Sequence, residues 1–247
     1  MDEITIPHGI HNLHPAGAFV EWAAKNIPDA PFDVHLYTTE SDWLRGRRGR
    51  IGASQVGTIL GLTDQWKTRR QLFDEMTGKA VDEFAGNEFT RRGQSEEPLI
   101  RALWAIEHPD WDVYDGTHLL FVSRAEPWRS CSLDMIAVGK TGQVVIGEIK
   151  TGVWSRHWAG GELPDNYLAQ ISQQLDITQF DGAVVVARLI SAGGMSGPDS
   201  SASERAYYFT ATNPAVRDNM RYVRKEVRDF WDCVQSREYR AKINIAL

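Results

Sequence analysis

A chain of 247 residues with 42% hydrophobic and 24% charged positions is long enough for one large domain and has the balance of an ordinary soluble globular protein. Its net charge of −6 argues against a protein that coats nucleic acid with its whole surface, yet leaves room for a local basic channel. No apolar run reaches the roughly 18 to 20 residues of a membrane span and Met1-Asp2-Glu3 begins no signal peptide, so cytoplasmic residence without membrane contact is expected; the two cysteines exclude a four-cysteine zinc or iron–sulfur site and read as reduced thiols, not a disulfide.

Residues 1–40 are weakly patterned and interrupted by Pro7, Pro15, Pro28 and Pro31, with room for a short helix through Ala16–Lys25. A basic stretch follows at 41–50, containing Arg45, Arg47, Arg48 and Arg50. Ser54 opens a short helix whose apolar face is Val56, Ile59 and Leu60, closed by Gly61. Thr68 and Gln71 fit a capping box for a helix carrying Leu72, Phe73 and Met76 and stopped by Gly78. A helix is predicted over 93–107, with Leu99, Leu103 and Ile106 at helical spacing. At Ser130 the period changes. Cys131–Val138 and Gln143–Thr151 read as strands of a hairpin turned at Gly139-Lys140-Thr141-Gly142. Pro164–Phe180 is helical, Ala183–Leu189 is a buried-type strand, and the Gly/Ser-rich 191–205 segment reads as a mobile loop. A strand at Ala206–Thr212 precedes a long last helix capped by Asn213-Pro214. No repeat or linker divides the chain. One domain is expected, with an N-terminal arm (1–40), a core (41–190) and a C-terminal strand and helix (206–247).

The hairpin holds the chemistry. Val144, Ile146, Glu148 and Lys150 share one face of the second strand because side chains alternate. Charged groups in such a strand are costly to desolvate without purpose. Asp134, in the partner strand, can approach Glu148 near the open end. Two adjacent carboxylates repel unless a cation sits between them, and a hard divalent ion such as Mg²⁺ or Mn²⁺ resolves that conflict. Lys150 can then orient or help deprotonate an attacking water, while the ion polarises a phosphate. That set suits phosphodiester hydrolysis. A surface hairpin with a Glu–Lys pair fits the pattern equally well.

A wider set of motifs narrows the choice. Ile51-Gly-Ala-Ser-Gln-Val-Gly-Thr-Ile-Leu-Gly61, the helix after Trp66-Lys67-Thr68, Gly93-x-x-x-Glu97-Pro98, Ser132-Leu133-Asp134, Gly147-Glu148-Ile149-Lys150-Thr151 and Tyr167-x-x-Gln170 with Gln174 occur in this order. Together they resemble the phage λ exonuclease-like (YqaJ-type) recombination nucleases across about residues 43–190. The resemblance implies an α/β fold: a restriction-endonuclease-like core, a mixed β-sheet flanked by α-helices. It further implies Asp134, Glu148 and the Ile149 carbonyl as metal ligands and Lys150 as the catalytic lysine. Glu97 would reach the site through a second metal ion or an intervening water, and Gln170 would help hold the nucleophile or a substrate phosphate. Two Mg²⁺ ions are expected, with Mn²⁺ substituting. Arg47 and Ser54 match the pocket for the 5′-phosphate of a duplex end. That is physically reasonable for an arginine fork beside a helix N-terminus. Tyr167, Gln170 and Gln174, at i, i+3 and i+7, lie on one helix face turned to the site and its DNA.

On this resemblance the expected activity is Mg²⁺-dependent 5′→3′ digestion of double-stranded DNA to 5′-mononucleotides, leaving a 3′ strand. The expected setting is a phage or prophage in a bacterial host, with a trimeric ring and a single-strand annealing recombinase as partner. A metal-dependent endonuclease of the same fold, or a non-catalytic DNA-binding relative, are the rival readings. Met135 and Ser172 depart from the family pattern and read as variation in substrate grip. His8, His11 and His14, at intervals of three, are not read as a metal site in a proline-containing arm. Trp154 and Trp158 read as packing before DNA stacking. Arg217, Arg221, Arg224 and Arg228 read as a solvated face.

Overall fold

The β-branched runs of the middle and second half pair into a sheet whose central strands are buried on both faces. The computed structural model describes residues 10–63, 67–80, 88–153, 158, 161–190 and 202–241. In chain order the elements are β1 (Leu13–His14), α1 (Ala16–Asn26), β2 (Phe32–Leu36), α2 (Glu40–Arg47), β3 (Ile51–Gly52), a 3₁₀ turn (Ala53–Gln55), α3 (Val56–Leu60), α4 (Arg69–Met76), α5 (Glu88–Glu107), β4 (Trp111–Asp115), β5 (Leu119–Ser123), β6 (Arg129–Cys131), β7 (Met135–Gly139), β8 (Val144–Val153), α6 (Asp165–Thr178), β9 (Gly182–Ile190), β10 (Ala202–Thr210) and α7 (Pro214–Ser236). Among the described residues the larger sheet is six-stranded, ordered β1-β4-β7-β8-β9-β10, and the smaller four-stranded, ordered β2-β5-β6-β3. The larger sheet is mixed: β8 runs antiparallel to β7 but parallel to β9, and α6 supplies the crossover that parallel neighbours require.

Alternation along β8 sends its side chains to two cores. Val144 and Ile146 pack with Phe19, Phe121, Ile171 and Leu175 between the two sheets, α1 and α6. Ile149 packs on the other face with Ile100, Trp104, Ala105 and Met135, under α5. A third cluster joins α3, α4 and α7 through Ile59, Phe73, Val227 and Phe230. Burial of each such side chain contributes about 1.5–3 kcal/mol, so the strands around the site are held from both sides. Among the described residues no helix is long and apolar enough to cross a membrane.

Local signals placed three helix ends. Gly61 closes α3 in the left-handed conformation, with φ 71°. The Thr68 amide donates to Gln71 Oε1 at 2.8 Å and the Gln71 amide to Thr68 Oγ1 at 3.3 Å, and Asn213 Oδ1 accepts from the Ala215 amide at 2.9 Å. Both cysteines are free and buried.

Four expectations are corrected. The predicted strand Cys131–Val138 is two strands in two sheets: Cys131 pairs with Phe121 in the smaller sheet and Met135 with Gly147 in the larger. Ser132–Asp134 is the crossing between them. In α5 the buried stripe is Ile100, Trp104 and Ala105, whereas Leu99, Leu103 and Ile106 are 39%, 37% and 55% exposed. Two apolar stripes interleave on this helix, and periodicity alone cannot say which one meets the sheet. Residues 202–205 belong to β10, paired with β9 from Ala202↔Ile190 onward, while 191–201 lie outside the described residues. Residues 10–40 of the N-terminal arm are part of the core, since β1 and β2 extend the two sheets and Phe19 is fully buried.

Candidate active site

β8 outruns β7. Pairing between them ends at Met135↔Gly147, so from Glu148 onward β8 has a strand on its β9 side only. Asp134 takes the vacated place: its Oδ2 accepts the Ile149 amide at 2.7 Å. In a strand the N–H and C=O of one residue leave by the same edge. The Ile149 carbonyl therefore also points toward the side occupied by Asp134.

Glu148 is 3% exposed and held at both oxygens. Its Oε1 accepts from Lys150 Nζ at 2.6 Å and Gln170 Nε2 at 2.5 Å; its Oε2 accepts from Gln174 Nε2 at 2.6 Å. Lys150 is 18% exposed in its side chain and stands 5.0 Å from the Tyr167 ring centroid, which in turn stacks on Trp158. α5 packs on the Ile149 face of β8. A Cβ on Gly93 would meet Thr151 Oγ1 at 3.2 Å, so the glycine permits the close approach that brings Glu97 toward the carboxylates.

The electrostatics follow from this crowding. Burial pushes the Asp134 carboxyl well above its ordinary value, reinforced by Glu148 and Glu97, against Lys150 and the Ile149 amide. Burial also raises Glu97, opposed by Arg101, with Glu148 adding to the rise. For Lys150 burial acts downward, but Glu148, Asp134 and Tyr167 outweigh it and the ammonium form is favoured. Three carboxylates thus gather around Lys150, with Arg101 also acting on Glu97, and negative charge is in excess. The site's donors are hard oxygens, as a divalent ion of the magnesium type requires. Among the described residues no three His, Cys, Asp or Glu side chains already converge as a ligand set, because Glu148 is turned to its lysine and glutamines.

Two further residues position Asp134 from behind. Arg101, one helical turn after Glu97, donates from Nε to the Asp134 carbonyl at 3.1 Å and pairs with Asp115 at 2.8 Å. The Gly116 amide reaches the same carbonyl at 3.2 Å, and a Cβ there would lie 1.9 Å from the Leu133 carbonyl oxygen. Gly116→Ala is therefore expected to destabilise the fold by about 1–3 kcal/mol, the range for overpacking, and to displace Asp134. An unchanged thermal midpoint would contradict the closeness of this contact. The i+4 spacing of Arg101 from Glu97 was a usable sequence signal; Gly116 offered none.

The sequence-selected residues divide into two groups. Glu97, Asp134, Glu148, Lys150, Gln170 and Tyr167 come together. Gln174 joins them but is fully buried, so it braces Glu148 and the Ser132 carbonyl (3.0 Å) and cannot reach DNA as expected. Arg47 and Ser54 form a separate pair, with Arg47 Nη2 3.3 Å from Ser54 Oγ and the guanidinium 4.5 Å over the Trp43 ring. Burial lowers the Arg47 pKa, and no carboxylate faces it among the described residues, an arrangement suited to an anion. α3 has five residues, too few to add a useful dipole.

Other side chains have structural duties. Met135 is fully buried against Gly147, and Ser172 Oγ donates to the Leu168 carbonyl at 2.8 Å, so both departures concern packing rather than substrate grip. Trp158 is buried; Trp154 and His8 lie outside the described residues. His14 bonds Asp112 at 3.0 Å. Arg224 and Arg228 are engaged by Asp176 and Glu126, contrary to a purely solvated face. Burial pushes the Cys131 thiol up, which leaves it inert as a nucleophile.

The family model described as the YqaJ-like viral recombinase domain matches residues 42–181. Among solved structures, the alkaline exonuclease LHK-Exo from Laribacter hongkongensis is similar at 17% identity and a TM-score of 0.54, over 79% of this chain and 95% of that one. Its complex with dAMP gives 18%, 0.56, 80% and 93%. A phage-related exonuclease from Haemophilus somnus 129PT gives 13% and 0.51, over 76% and 96%. No curated protein matches the chain. At such identities these structures establish the fold, a restriction-endonuclease-like mixed sheet flanked by helices.

Proposed function

Because the chain belongs to the YqaJ-like viral recombinase domain family, we propose that it is a Mg²⁺-dependent 5′→3′ exonuclease on double-stranded DNA, releasing 5′-mononucleotides and leaving a 3′ strand. The observation that carries the proposal is the meeting of Asp134, Glu148 and Lys150 at the open edge of β8. Asp134, Glu148 and the Ile149 carbonyl would hold the ion, and Glu97 a second one or a water. Bound there, a divalent ion supplies Lewis-acid polarisation of the phosphate and charge neutralisation, with Mn²⁺ a substitute. The chain's own groups do the rest. Lys150 carries positive charge to the reacting phosphate and orients the water. Gln170 fixes the Glu148 oxygen that faces Lys150. Tyr167 walls the lysine and lines the path of DNA.

Arg47 and Ser54 favour an exonuclease over an endonuclease, since an anion pocket apart from the carboxylates suits a terminal 5′-phosphate. The dAMP named for the similar structure is a mononucleotide of the kind this reaction would release. The family is also the ground for proposing a trimeric ring, a single-strand annealing recombinase as partner, and action in the cytoplasm of a phage-bearing bacterium. Polarity is tested with duplex labelled at its 5′ or 3′ ends. Early release of 5′ label as mononucleotide is expected, and early release of 3′ label would reverse the assignment.

Metal linkage gives a separate prediction. A carboxyl whose folded pKa is raised stabilises the fold below its unfolded pKa, and that contribution is lost as pH rises through the folded value. At neutral pH the crowded Asp134 is thus a liability that a divalent ion relieves. Mg²⁺ is expected to raise the thermal midpoint at pH 7.5, and Asp134→Asn to raise it without metal while removing both the Mg²⁺ response and activity. A midpoint indifferent to Mg²⁺ in the unmodified protein would count against the metal site.

A further inference from the structure

α2 buries none of its residues completely, so apolar packing alone does not fix where it sits. Trp43 ties it down in two directions. Its ring supports the Arg47 guanidinium at 4.5 Å, and Arg47 in turn meets Ser54. Its indole Nε1–H donates to Ser132 Oγ at 3.1 Å, across 89 positions of sequence. Ser132 stands two residues before Asp134, in the crossing between the sheets. Its carbonyl accepts from Gln174, the same amide that holds Glu148 Oε2. One side chain therefore bridges the Arg47–Ser54 pair and the segment that carries Asp134. Other contacts of this region, Arg50 to the Gly46 and Pro127 carbonyls and the Tyr37 ring against Gly46, do not join the Arg47–Ser54 pair to Ser132.

We infer that Trp43 is a positioning residue that couples recognition of a terminal phosphate to the carboxylate centre, by setting the distance between the Arg47–Ser54 pocket and Asp134 through its hydrogen bond to Ser132. The inference rests on the reading of that pocket as the site for a 5′-phosphate. With the bond in place, a phosphate seated on Arg47 presents its neighbouring phosphodiester at the carboxylates. Without the bond, α2 shifts relative to Asp134 and end binding no longer aligns the scissile group. Alignment lost in this way costs rate on phosphorylated ends more than on ends that never used the pocket.

The test compares initial rates on linear duplex with 5′-phosphate and with 5′-hydroxyl ends, for the unmodified protein, Trp43→Phe, Ser132→Ala and the double variant. Phenylalanine keeps a ring under Arg47 and removes the N–H; alanine removes the acceptor. Each single change is expected to reduce the phosphate-to-hydroxyl rate ratio by about 2- to 10-fold, the effect of one hydrogen bond, and the double variant to fall no further than a single one. A ratio measured within one preparation does not depend on how much of it is folded, so general destabilisation leaves it unmoved. An unchanged ratio in Trp43→Phe, or losses that multiply in the double variant, overturns the coupling. Absence of any phosphate preference in the unmodified protein overturns the pocket reading itself.

Discussion

Lys150→Ala is expected to lower the rate of DNA degradation by about 10²- to 10³-fold, the range for removing one preorganised group that stabilises developing charge. The lysine is the only cation bonded to Glu148 among the described residues, and it stands beside the Asp134 carboxyl at the edge of β8. Its raised pKa keeps the ammonium, and the stability it lends Glu148, fully present below the unfolded lysine value and loses it only as pH climbs through the folded one. At neutral pH alanine therefore removes a charge that both chemistry and Glu148 use. Lys150→Gln separates the two, because its amide still donates to the carboxylate. Equal inactivity of both variants, with circular dichroism like that of the unmodified protein, is the expected outcome. Activity of either variant within about 10-fold of normal would remove Lys150 from the chemistry.

The second large effect lies behind the site. Arg129 is 2% exposed and donates from Nη2 to Asp176 at 2.5 Å, while the Asp176 side chain is 1% exposed. Arg224 closes on the same carboxylate with both arms, and Glu126 links Arg129 to Arg228. This network joins β6, α6 and α7. Asp176→Asn leaves the buried Arg129 guanidinium with Glu126 as its remaining carboxylate partner and weakens the bonds of Arg224, expected to destabilise by about 1.5–3 kcal/mol, the range for hydrogen bonds to charged groups. Urea unfolding measures it through the midpoint. A loss below about 1 kcal/mol would mean that Arg129 finds another partner or water. Because Asp176 shares α6 with Gln170 and Gln174, activity is expected to fall with stability.

Alternation along β8 was legible in the residues: Val144, Ile146, Glu148 and Lys150 do share a face, and Asp134 does meet that strand. Caps at Gly61, Thr68 and Asn213 were legible for the same reason, since each satisfies its own neighbours. The crossing at Ser132–Asp134 was not, because Cys131, Leu133 and Met135 alternate as one strand would while their pairing partners lie in two sheets. Gln174 shows a different limit: helical spacing gives a polar face but not whether that face meets solvent or a buried carboxylate. Arg224 reads as surface because its partner Asp176 is on another helix. Trp43 meets Ser132 only through the fold.

We propose an end-dependent nuclease centred on Asp134, Glu148 and Lys150. Its most direct test sets linear 5′-phosphorylated duplex beside a covalently closed circle, with Mg²⁺ and with chelator. Loss of the linear substrate alone, only when Mg²⁺ is present, is the predicted result; cutting of the closed circle, or equal digestion with chelator, would contradict it.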